Sequence, residues 1–212
     1  MRFLLPLIIL GFTCCGPAEP TPVAEVKTVS GNLRYQEDAR TLQAELVLPD
    51  STERPPTFLG DPMRPLRGFP ARRFRLERVQ DLPGDIRFSV TEQGAVANFS
   101  FPFHRVYIDS LPDTLRRTEA ANFAVGDRGM TEEESLLLFF EPADRSNPKR
   151  ILVTGPTDSG IVSLPTSAIN DISPGEYSVY FVKQQLYKDR HKNLRVSVQA
   201  EYFTRSQPLT VE

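Results

Sequence analysis

The sequence predicts an all-β chain of antiparallel β-sandwiches with an immunoglobulin-like C-terminal part. Three observations predict it. Apolar residues after Glu25 recur with period two, Gly and Pro turn signals cut the chain into short strands, and no stretch keeps a helical stripe for three turns. With 212 residues, 40% of them hydrophobic, the chain is long enough for one or two cores. Its 25 Lys and Arg nearly cancel 27 Asp and Glu, which excludes a wholly disordered polyelectrolyte and offers no basic excess for nucleic acid.

The first element is not part of the fold. Arg2 precedes an apolar run over residues 3–12 that closes on Thr13, Cys14, Cys15 and Gly16. A charged start, an apolar centre and a small-residue exit make a secretory signal. The run is far shorter than the roughly 20 residues needed to cross a bilayer core. Cys14 and Cys15 are the only cysteines, so the folded body holds no internal disulfide and the use of these thiols is local.

These residues resemble the signal of a bacterial lipoprotein, which is cut just before a Cys that carries diacylglycerol. Cys15, preceded by Phe12, Thr13 and Cys14, fits that pattern better than Cys14, preceded by Gly11, Phe12 and Thr13, and both stay candidates. The resemblance covers residues 1–16 and implies removal of a signal (1–14) by the lipoprotein signal peptidase. It also implies attachment to a membrane through the N-terminal lipid, in the cell envelope and at the outer membrane of a Gram-negative bacterium. Several acyl chains on one Cys hold a domain on a bilayer where a single chain binds marginally. Pro17, Pro20 and Pro22 then make residues 15–25 a lipidated Cys followed by an extended tether.

Two sandwich-like domains are expected to follow, over 26–126 and 127–212. In the first, strands are expected at 25–35, 41–48, 71–79, 86–90, 96–101 and 105–109. The stretch 41–48 alternates Leu42, Ala44, Leu46 and Leu48 with polar residues. Six prolines between 49 and 72 predict an irregular edge. The boundary is placed where Gly126, Asp127, Gly129 and Glu132 to Glu134 interrupt the alternation. Strands at 135–141, 150–154, 160–164, 176–184 and 193–203 follow, with a short helix at 166–172. Strands 135–141 and 176–184 are apolar on both faces, which predicts that the neighbouring domain, or else a partner, covers the second face, with the neighbouring domain the preferred cover.

No sequence pattern assigns a catalytic residue, a metal or a cofactor. The strand-to-loop stretch Ile151 to Gly160 lacks the Lys and Ser/Thr of a phosphate loop and reads as a hairpin turn. His104 and His191 have no His or Cys at zinc-ligand spacing. Asp127 with Glu132, Glu133 and Glu134 lacks the alternating acidic spacing of a calcium loop and reads as a solvated loop. One cluster points to binding: Arg64, Arg67, Arg72, Arg73 and Arg75 form a candidate anionic-ligand patch, with Arg73 and Arg75 on the outward face of their strand. Reversing Arg73 and Arg75 is expected to weaken retention on an anionic glycan without lowering the melting temperature. The sequence therefore predicts a non-catalytic binding or assembly module whose partner is an envelope protein or an anionic glycan. The alternative is an envelope-glycan hydrolase with an Asp/Glu pair, distinguished by a cleft holding two carboxylates about 5 to 10 Å apart.

Overall fold

A computed structural model describes residues 25–52, 54–144 and 147–212; the expected signal, both cysteines and the tether up to residue 24 lie outside it. The alternating stretches form strands β1 (Lys27–Gln36), β2 (Thr41–Leu48), β6 (Arg72–Val79), β7 (Asp85–Glu92) and β8 (Ala95–Pro102). The proline-rich segment before β6 yields only the fragments β3 (Thr57–Phe58), β4 (Asp61–Pro62) and β5 (Arg64–Leu66). Beyond them lie β9 (Thr114–Leu115), β10 (Ala121–Ala124), β11 (Glu134–Pro142), β12 (Lys149–Thr154) and β13 (Ile161–Leu164). The short helix α1 (Thr166–Asn170) leads to β14 (Gly175–His191), β15 (Leu194–Phe203) and β16 (Gln207–Val211).

The chain is all-β, built from largely antiparallel sheets packed face to face. The main sheet runs β12-β11-β14-β15-β1-β2-β6-β5, with β16 also on β14 and β9 on β16. Two smaller sheets, β4-β3-β7-β8 and β10-β13, complete the fold. Facing rings tie these layers together: Phe101 of β8 stacks on Tyr187 of β14 at 4.4 Å, and Phe123 of β10 stacks on Phe181 of β14 at 5.6 Å.

Strand β14 serves both sandwiches because it is 17 residues long. Its first part pairs with β16 over Gly175 to Val179, its second with β15 over Val182 to His191. Buried Thr204 bridges the switch between those partners: its hydroxyl accepts from the Phe181 amide at 2.9 Å, and its own amide donates to the Phe181 carbonyl at 3.0 Å. The core is consequently one continuous cluster running from Val29 and Leu33 to Leu209 and Val211.

Ladders run across the boundary expected at 126/127, and two expectations about single segments are corrected. A boundary at 126/127 does not divide the sheet, since β1 pairs with β15 in parallel from Lys27↔Leu194 to Gln36↔Phe203. Strands β9 and β10, which the sequence does not announce and which lie before that boundary, pair with β16 and β13 beyond it. The Gly-rich interruption at 126–134 is thus a loop between two strands of one sandwich. Residues 105–109 form no ladder: 105–108 have no regular structure and Asp109 begins a turn, although the Tyr107 amide donates to the Val125 carbonyl at 3.0 Å. The loop 155–160 is not a hairpin turn, because β12 pairs with β11 while β13 pairs with β10 in another sheet. On the second face of β11 and β14, Val182 is buried and Leu137, Phe139 and Tyr180 are half-buried. That face is shielded side chain by side chain: the Phe139 and Tyr180 rings stack at 4.9 Å, and the Arg150 guanidinium lies 5.1 Å from the Phe139 centroid. Leu152 beside them is 59% exposed.

Candidate functional site

Strands β11 and β14 each place one charge on their buried face. The parity that sends Leu136, Leu138 and Phe140 inward also sends Glu134 inward, and Lys183 follows Tyr177, Val179 and Phe181. Both are buried, Glu134 2% and Lys183 6% exposed. An isolated charge there would carry a heavy desolvation penalty, so the two must be paired. Lys183 Nζ lies 2.8 Å from Glu134 Oε1. Arg128 reaches in from the 126–134 loop and donates through Nη2 to Oε1 at 2.8 Å and through Nη1 to Oε2 at 2.9 Å. The Thr131 amide donates to Oε2 at 2.8 Å.

Burial alone would raise the Glu134 carboxyl, but the hydrogen bonds from Arg128, Lys183 and Thr131 outweigh it and hold the group down at about 2. Burial pushes the Lys183 ammonium down, and Glu134 opposes that shift. In front of this cluster opens a cleft of about 330 Å³, lined by His104, Tyr107, Asp127, Arg128, Met130 and Lys183 among others. His104 is lowered, first by burial and then by the Arg128 and Lys183 charges, so its imidazole is neutral at pH 7. At the rim the Tyr107 hydroxyl donates to Asp127 at 3.4 Å.

The walls are set by backbone contact between the loops at 126–134 and 155–160. The Thr157 amide donates to the Met130 carbonyl at 3.0 Å, and the Gly155 amide donates to the Glu134 carbonyl at 3.0 Å. A Cβ on Gly129 would lie 1.8 Å from the Thr157 oxygen, and one on Gly155 would lie 1.9 Å from the Thr131 oxygen. Only glycine permits that approach. The acidic loop expected to be solvated is therefore partly interior: Glu132 and Glu133 are exposed and Glu134 is locked inside. Among the described residues, no group of three His, Cys, Asp or Glu side chains could hold a metal ion.

The arginine patch is elsewhere, on the outer face of β5 and β6, and it is only partly free. Arg73 pairs with Glu45 at 3.1 Å and covers the Phe69 ring at 4.8 Å; Arg75 pairs with Glu77 at 2.9 Å. Arg72 has a structural role, donating to the Asp50 carbonyl at 3.2 Å and to the Thr52 carbonyl. Arg64 sits directly opposite Arg75 in the ladder and, like exposed Arg67, has no ion pair among the described residues. Reversal of Arg73 and Arg75 would set new carboxylates against Glu45 and Glu77. The double variant Arg73→Glu, Arg75→Glu is thus expected to lower the urea midpoint slightly as well as anionic-column retention. Unchanged stability would show these pairs to be energetically silent.

Sequence reasoning places Glu134 in the solvated acidic loop, one residue before the strand expected at 135–141, and assigns Lys183, near the end of the strand expected at 176–184, to neither face. Extending the period-two pattern by one step would have placed both inside.

No family model matches this chain, and no curated protein does. A search of solved structures finds a likeness to the crystal structure of chicken CNTN1 FN1-FN3 domains. It has 10% identity and a TM-score of 0.25, covering 84% of this chain and 67% of that one. At that score the likeness carries no argument about what this chain does.

Proposed function

We propose that this chain is a lipid-anchored, non-catalytic binding or assembly module of the bacterial cell envelope. The observation that supports a non-catalytic role is the closed ionic cluster. Glu134 is the buried carboxylate at the cleft, and four hydrogen bonds and ion pairs hold it ionised. A glycan hydrolase needs a carboxylic acid kept protonated near neutral pH, and Glu134 is tuned in the opposite direction, toward about 2. A cleft with fixed walls and fixed charge suits recognition of a partner more than proton transfer. The anchor is supported by the sequence alone, through the apolar run that ends on Cys14 and Cys15.

Intact-mass measurement of the membrane-extracted protein tests the anchor. The expected result is a diacyl or triacyl chain beginning at Cys15, lost in Cys15→Ser and retained in Cys14→Ser. The reverse pattern would move the anchor to Cys14, and an unmodified soluble chain would overturn the anchored reading.

A further inference from the structure

At the end of the main sheet where the described chain enters, Lys188, Arg190, Lys192 and Arg195 outnumber the nearby carboxylates of Glu25 and Asp189. Glu25 and Lys27 line a cleft of about 550 Å³ together with Gln93 of the β7–β8 turn and Arg190, Lys192 and Asn193 of the β14–β15 hairpin. Lys27 is committed to Glu92. The hairpin cations are not: Lys188, Arg190, Lys192 and Arg195 are exposed and have no ion pair among the described residues. Asp189, the carboxylate in that tip, accepts from the Tyr187 hydroxyl at 2.7 Å and from the Arg190 amide at 2.7 Å.

Two features work against the stability of this tip. Arg190 lies directly opposite Arg195 in the antiparallel ladder, and like charges in that position repel. Lys192 takes a left-handed conformation (φ 54°) in a two-residue turn where Gly or Asn costs less. The same end of the sheet also carries part of the arginine patch. The ladders that join Lys27 to Leu194 and Ser30 to Val47 continue to Val47↔Arg73 and to Leu66↔Arg73, beside exposed Arg67. A basic rim therefore surrounds the point at which the N-terminal segment leaves the body.

We infer that this rim, centred on Arg190, Lys192 and Arg195, docks on the anionic headgroups of the bilayer that holds the chain. The inference rests on the lipid anchor proposed above. Nine residues, 16–24, lie between Cys15 and Glu25. Even fully extended at about 3.5 Å per residue, that stretch cannot carry Glu25 more than roughly 35 Å from the lipid. Tethering at that range turns headgroup contact into an intramolecular event, so a few unpaired cations suffice where free protein would bind weakly. The Arg190–Arg195 repulsion is relieved when lipid phosphates lie between the guanidinium groups.

The test uses the lipidated chain reconstituted in vesicles, with any unacylated cysteine replaced by Ser. An environment-sensitive fluorophore is placed at Asn193→Cys or, at the opposite end of the sheet, at Val79→Cys, where the native side chain is 78% exposed. With phosphatidylglycerol in the vesicles, the label at 193 should report headgroup contact and the label at 79 should not. Phosphatidylcholine alone, or high salt, should abolish the response. Arg190→Gln, Lys192→Gln and Arg195→Gln together should lower the ratio of docked to undocked tips by on the order of 100-fold, about fivefold per cation. A response equal at both positions, indifferent to phosphatidylglycerol, or unchanged in the triple variant would overturn the docking surface while flotation with phosphatidylcholine vesicles kept the anchor. Failure to float with phosphatidylcholine would overturn the anchor, and the docking inference would fall with it.

Discussion

Glu134→Gln is expected to destabilise the protein by about 3–5 kcal/mol, because it removes the one negative charge between Lys183 and Arg128 and leaves Lys183 buried without compensation. Equilibrium urea denaturation reads the loss as a lower midpoint at unchanged slope. Adding Lys183→Met should restore much of it, since the buried cation is then gone as well. A double variant no more stable than Glu134→Gln would mean that the loss comes from packing. The same carboxylate predicts an acid limb. Its folded pKa of about 2 lies below the ordinary 4.5, so its stabilisation is complete above the unfolded value and disappears as pH falls from about 4.5 toward 2. The shift corresponds to about 3 kcal/mol. That part of the acid limb should be missing in Glu134→Gln, and equal limbs in the two proteins would contradict the assignment.

Gly155→Ala should cost about 3 kcal/mol, at the upper end of ordinary overpacking, because nothing flexible can yield. The added carbon would meet the Thr131 oxygen at 1.9 Å, the Thr131 carbonyl carbon at 2.8 Å and the Glu134 oxygen at 3.2 Å, all of them backbone. Thr131 must move, and its amide is one of the donors to Glu134. The substitution therefore damages the ionic cluster from a distance, and the acid limb should shrink along with the midpoint. Gly84→Ala is the matched control: its Cβ would meet nothing within 4 Å, and the change should stay within about 0.5 kcal/mol. A Gly155→Ala protein as stable as Gly84→Ala would show that the two loops are not locked together.

The strands were legible because a half-buried strand writes its burial into alternate residues, as Leu42 to Leu48 and Leu194 to Tyr202 do. The short helix at 166–172 and the irregular edge at 49–72 were readable for equally local reasons, the first a turn of apolar spacing and the second a run of prolines. The pairing of β1 with β15 was not, since hydrogen bonds between residues 167 apart leave no mark on either segment. The loop at 126–134 misled because Gly and Glu in a row look the same whether the loop joins two domains or closes onto a neighbouring loop. Only the carbonyls of Thr131 and Thr157 facing Gly155 and Gly129 distinguish the cases. The arginines of β5 and β6 were found by type and spacing, but the partners that neutralise them depend on placement: Glu45 reaches Arg73 from the neighbouring strand, and Glu77 lies two residues beyond Arg75 on the same face of β6.

The parallel ladder between the first strand and the next-to-last fixes the order in which this chain can mature. Until Leu194 to Phe203 has emerged, β1 lacks one of its two neighbours and the β14–β15 hairpin does not exist. The apolar side chains of β1, Val29, Leu33 and Tyr35, must wait for a surface made almost last. Such non-local topology folds slowly and leaves sticky intermediates open for longer. A ribosome-stalled or C-terminally clipped chain lacking β15 should accordingly behave as a client for chaperones or proteases along its whole length, including the part that lies far upstream of the missing strand.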